Sequence, residues 1–214
     1  NQNFDNMTSI GDLELWNLHV PQWAPISLAA DPVQPGNQCL QLTDAEPYDY
    51  ARAERVIPET QRLQVSFRLY AMTSGPGELN VEVQSQTNQR PLKLRFSPAW
   101  ISMDRGSTEP DLVPFQLGEW TDIALRIDAD AGEYDLAVNG KWVETGIEFA
   151  DEAGDVATLG RLVFRTGSWK GDVRFMMMDG NPSAPGMHLD DVPGADDQVA
   201  QSVYLIDDVV TERW

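Results

Sequence analysis

The chain has 214 residues, 42% of them hydrophobic, enough for a sizeable core, and it carries 34 acidic against 15 basic side chains for a net charge of −19. That charge repels phosphate backbones and anionic bilayers, so nucleic acid and membrane are not expected as partners. No apolar run approaches the roughly 18 to 20 residues of a membrane-spanning helix, and Cys39, the single cysteine, excludes an intrachain disulfide and a cysteine-built zinc site.

Asn1 to Ser9 lack the basic start and apolar run of a signal peptide, so either the protein is cytoplasmic or the numbering begins after a removed segment. Only Lys93, Lys141 and Lys170 are lysines; the other twelve basic residues are arginines. An acidic, lysine-poor surface suits an extracellular or periplasmic setting, though a genomic habit of composition would give the same numbers. The two histidines, His19 and His188, lie far apart and offer little material for a multi-histidine metal site or a triad.

In chain order, Cys39-Leu40-Gln41-Leu42 alternates as a strand with a buried cysteine. Period-2 segments then follow at 63–70, 79–83, 92–96, 123–128, 134–138, 162–165 and 203–206. Each has one apolar and one polar face, the pattern of antiparallel sheets covered on one side. Connectors agree: Ser74-Gly75-Pro76-Gly77, Asp130-Ala131-Gly132, and Asn139-Gly140, whose residues both tolerate positive φ in a two-residue hairpin. No capped helical period exceeds a turn or two, so helix is confined to short pieces. The stretch from Asp179 to Gln201 reads as a long loop rich in Gly, Pro and Asp, functional or simply a solvated excursion. Without repeats or low-complexity linkers, residues 1–214 are expected to form one all-β, two-sheet antiparallel sandwich.

Two stretches carry a family resemblance. Glu119 to Asp128, led by Trp120, followed by Gly132 to Gly140 with its Val138-Asn139-Gly140 end, resembles the core hairpin of laminin-G and concanavalin A-like lectin/glucanase domains. Val203 to Val209 resembles the last strand of jelly-roll carbohydrate-binding modules, and Asn3-Phe4-Asp5-Asn6 with Gly11 and Trp16 is similar to their first strand. The resemblance implies a concanavalin-like jelly roll whose terminal strands meet. It also implies a structural Ca²⁺ near that meeting point, with Asp5 and Asp208 (or its neighbour Asp207) as the carboxylates.

For function, retaining glucanases of this fold carry Glu-x-Asp-x-x-Glu, a spacing that sets two carboxyl groups about 5 to 5.5 Å apart. Here Glu133-Tyr134-Asp135 is followed by Val138 in the last slot, and Glu109-Pro110-Asp111 by Pro114. Alginate lyases of similar architecture use a Gln-x-His strand, which neither histidine provides, although Arg161 to Lys170 has a faint likeness to their late strand. No catalytic residue is therefore assigned.

The leading expectation is a non-catalytic carbohydrate-binding or accessory module of a secreted polysaccharide-processing protein, with an oligosaccharide or polysaccharide as partner and other domains of a larger protein as neighbours. A glycoside hydrolase or polysaccharide lyase with an unrecognised site, and a structural spacer or protein-contact domain, are the alternatives. Tyr48, Tyr50 and Trp169 lie in polar, turn-like settings where a ring can stack on a sugar. Trp16 and Trp120 read as core, and Trp142 is open to either role. Arg52, Arg55, Arg68, Arg95, Arg126 and Arg165 fall at polar positions of strands; Arg95 and Arg165 are candidates to grip an acidic glycan. Pairing with neighbouring acids such as Glu54 and Glu82 is the alternative for each of them.

Overall fold

The computed structural model describes residues 2–47, 49–73, 77–106, 108–167 and 198–214. Tyr48, Trp169, the Ser74 to Pro76 turn and the acidic loop up to Asp197 lie outside the described residues. Among the described residues fourteen strands form two antiparallel seven-stranded sheets, with β1 (Trp16–His19), β4 (Arg52–Thr60), β13 (Leu159–Thr166), β6 (Leu79–Gln84), β7 (Leu92–Phe96), β8 (Trp100–Met103) and β9 (Asp111–Pro114) side by side in the first. The second runs β12 (Lys141–Glu148), β11 (Glu133–Val138), β10 (Trp120–Asp128), β5 (Arg62–Thr73), β14 (Ser202–Arg213), β3 (Gln38–Asp44) and β2 (Ile26–Ala30). Among the described residues helix is limited to two single 3₁₀ turns, Ile10–Asp12 and Asp151–Ala153.

Alternation makes the sandwich. On β5, Leu63, Val65, Phe67, Leu69 and Ala71 are all buried, while the intervening residues face away. On β13, Leu162 and Phe164 point into the same core. Phe164 meets Phe67 edge-on at 5.1 Å, and Trp16 stacks on Phe164 at 6.3 Å, so three rings join the sheets. Each such fully buried side chain stabilises by roughly 1.5–3 kcal/mol through apolar area removed from water.

The Asn139-Gly140 hairpin forms with φ of 50° and 75°, placing Val138 opposite Lys141 across β11 and β12.

Three expectations need correction. Trp16 is core, but Trp120 sits on the outward face of the second sheet, half-buried under the Arg68 guanidinium at 4.5 Å and beside Tyr70. Its parity on β10 is that of Asp122 and Arg126, not of buried Ile123 and Leu125. The residues Asn3 to Asn6 form no strand; the two ends meet at the bridge of Gln2 with Val209, and β1 starts at Trp16 in the other sheet. Arg55 does not join a polar face: it shares parity with Ala53 and Ile57 and lies 5.7 Å over the Trp16 ring, where burial lowers its pKa.

Candidate functional site

The outward face of the first sheet is polar and nevertheless buried. Glu54, Asn80, Glu82, Gln84, Lys93, Ser102 and Arg165 all lie there, and none is more than 8% exposed. Buried polar groups are costly unless hydrogen-bonded, so a face of this kind is either a fixed network or a recognition surface. Strand register builds it: His19 pairs with Arg52, Arg52 with Arg165, Arg165 with Asn80, Asn80 with Arg95, Arg95 with Ser102 and Ser102 with Asp111. One row of polar side chains thus crosses all seven strands. A parallel row sets Asn17, Glu54, Val163, Glu82 and Lys93 in register beside it.

Ion pairs lock the two rows together. Arg52 pairs with Glu54, which also takes Arg161 at 3.8 Å and the Asn17 amide at 3.0 Å. Glu82 holds Arg165 at 3.2 Å and Arg90 at 3.5 Å. Lys93 pairs with Asp104, and Arg95 lies 2.6 Å from Glu109 and 3.5 Å from Glu78. Every one of these cations therefore has a carboxylate within 4 Å. Among the described residues the arginines of this face form no unopposed positive cluster; pairing with neighbouring acids, the alternative open at the level of sequence, is what the fold contains.

At one end of the row the aromatic element appears. Tyr50 stands under the Arg165 guanidinium at 5.0 Å and beside the His19 ring at 5.5 Å, while His19 Nε2 meets Asp49 Oδ1 at 2.9 Å. Gly167, at φ 88°, closes this corner: a Cβ there would sit 3.5 Å from Tyr50 and 3.6 Å from the Asp44 carboxylate. Burial raises the Asp44 carboxyl to about 6, the Thr166 hydroxyl and Glu46 N–H pull it down, and Glu46 and Asp49 push it up further.

Of the residues singled out from sequence, Tyr50 and Arg165 are in contact and Arg95 lies two strands away in the same row. Arg68 and Arg126 belong to the opposite sheet. Asp5 Oδ1 accepts the Gln38 N–H at 3.0 Å, and Asp208 lies 3.8 Å from Arg68. Among the described residues no group of three or more His, Cys, Asp or Glu is placed to hold a metal. Asn80 was not singled out. Its position in Leu79-Asn80-Val81-Glu82-Val83-Gln84 shows only alternation, whereas a run of amide and carboxyl side chains at successive outward positions was the available signal.

The architecture is a jelly-roll sandwich with one organised polar sheet face. The chain belongs to the sialidase-like CBM domain family, whose model matches residues 16–175, and it is a carbohydrate-binding accessory module. A solved sialidase is 28% identical with a TM-score of 0.83 over 99% of this chain, which spans only 18% of that protein. The fold is shared at 9% identity and TM-score 0.60 with the alginate lyase AlgAT5 of polysaccharide lyase family 7, covering 95% of this chain and 96% of that one. A GH131 beta-glucanase catalytic domain from Podospora anserina is 12% identical with a TM-score of 0.55, covering 99% and 93%. No curated protein matches the chain.

Proposed function

We propose that the chain binds its glycan on the outward face of the first sheet, at the end where Tyr50, Arg165, Arg52 and His19 meet. The observation that carries this reading is the seven-strand polar row. Most of its side chains are fixed by ion pairs and hydrogen bonds before any ligand arrives, so little rotamer entropy is lost on binding. Tyr50 adds an aromatic surface of the kind that packs on the apolar face of a sugar.

The host is read as a secreted, polysaccharide-processing protein, with this module extracellular or periplasmic and joined to further domains. The acidic, lysine-poor composition and the 18% share of the similar sialidase support that reading. A Ca²⁺ near Asp5 and Asp208 is part of the proposal. Hydrogen bonds between Gln2 and Val209 draw the two segments together, and Asp5 is one of the charges that raises the Asp207 carboxyl, after burial and Asp208.

A glycan array with the isolated module, run beside a turnover assay on the same polysaccharides, tests the function. Retention without turnover is expected. Turnover would replace this reading with an enzyme, and the absence of any bound glycan would leave the spacer reading.

A further inference from the structure

We infer that Asn80 and Arg95 together read a single sugar hydroxyl, and that the acids already paired with the cations around them make this face favour a neutral glycan over a uronic or sulfated one. The inference rests on the carbohydrate-binding role proposed for the face. The two residues oppose one another in register on β6 and β7, in the middle of the polar row.

Asn80 is fully buried. Its Nδ2 donates to the Gly167 carbonyl at 2.8 Å, which fixes the orientation of the amide. The other end, Oδ1, accepts from no partner, although it is buried. Beside it Arg95 is held by Glu109 and Glu78 through Nη1, while its buried Nε–H donates to no partner. A buried acceptor and a buried donor therefore stand unmatched on adjacent strands, and polar groups left in that condition in a native fold call for a ligand or strain to explain them.

The chemistry that answers both is narrow. A hydroxyl is donor and acceptor at once, so one oxygen can donate to Asn80 Oδ1 and accept from Arg95 Nε. A carboxylate or sulfate only accepts. It would satisfy Arg95 but set a negative oxygen against Asn80 Oδ1, close to the Glu78 and Glu109 carboxylates that share Arg95. The rest of the face repeats that bias, because its cations are already compensated by acids and leave no net positive field for an anionic chain. Arg95 is the side chain that must move to admit the sugar; it is 26% exposed.

Affinity gels and calorimetry with xylan, mannan, galactan and β-glucan, against polygalacturonate and alginate, test the inference on the wild-type chain, Asn80→Leu and Arg95→Met. At least one neutral polymer is expected to bind, more tightly than either uronic polymer, with a tenfold or greater loss in both variants. Arg95→Met, at the more exposed partner, carries the test if Asn80→Leu does not fold. Tighter binding of a uronic polymer overturns the preference for a neutral glycan, a neutral polymer bound equally by wild type and folded variants overturns the hydroxyl-reading pair, and either result leaves the carbohydrate-binding face standing. Failure of the wild-type chain to bind any of the six overturns both.

Discussion

The Trp120 indole N–H donates to Asp31 Oδ1 at 3.1 Å, tying β10 to the connection between β2 and β3 on the outward side of the second sheet. Asp31 also accepts the Val33 and Gln34 N–H groups and the Asn37 amide. Burial pushes this carboxyl up, but the four hydrogen bonds outweigh it and bring the pKa down to about 2.

Asp31→Ala is accordingly expected to cost about 1–3 kcal/mol at pH 7, since it removes the four hydrogen bonds that converge on this buried carboxylate. A depressed folded pKa gives stability that is full above the ordinary carboxylate value and is lost as pH falls from about 4 through 2. Urea melts at pH 7 and pH 2 should show the deficit shrinking at the lower pH. An equal deficit at both would mean that the charge of Asp31 contributes nothing.

Asp44 works in the opposite sense. Its folded pKa is raised to about 6, so the folded state keeps a proton that the unfolded chain has lost, and this group makes stability fall as pH rises from about 4 to 6. Asp44→Asn removes that slope. We expect a gain of about 1–2 kcal/mol at pH 7.5 and none at pH 4. A variant less stable than the wild type at pH 7.5 would show that the ionised carboxylate is needed where it stands.

Glycan binding should be weak, with Kd about 10 µM to 1 mM, or roughly −4 to −7 kcal/mol. For a neutral ligand, Tyr50→Ala is expected to weaken it at least threefold, and Trp169→Ala more than Arg165→Ala. Raising salt from 0.05 to 0.5 M, which shortens the screening length to a few ångströms, should change little. A steep salt dependence, with Arg165→Ala the worst variant, would instead mark an acidic ligand.

If Ca²⁺ is held near Asp5 and Asp208, it stabilises by binding the native state alone, and Tm should rise with calcium and fall with chelator. Asp208→Asn should abolish the difference. A Tm unmoved by chelator, with no calcium co-purifying, removes the ion from the proposal.

The strands with a clean two-sided contrast were legible in the sequence, β5 and β10 above all. Others were not, for physical reasons. β12 is exposed along nearly its whole length as an edge strand, so Lys141 to Glu148 shows no apolar side. β4 places Arg52, Glu54 and Arg55 among small apolar residues, because its outward face is buried by ion pairs and Arg55 packs on Trp16. β9 is four residues ending in Pro114, a common form for an edge. At the site, Tyr50 and Arg165 were readable as chemistry but not as neighbours, since 115 positions and a change of strand separate them. Asn80 was hidden because period 2 tells which way a side chain points and nothing of what lies over it.

Cys39 lies on β3 with the parity of Gln41 and Thr43, turned away from the core that Leu40 and Leu42 enter, and it is nonetheless fully buried. Its Sγ donates to the Ala29 carbonyl at 3.4 Å, and burial, with Asp207 and Asp31 nearby, pushes the thiol up to about 12. At neutral pH a thiol in that state is almost never the reactive thiolate. A thiol reagent must therefore wait for the β2–β3 edge to come apart. The rate at which this one thiol is labelled becomes a clock for local opening, readable without engineering a cysteine into the protein.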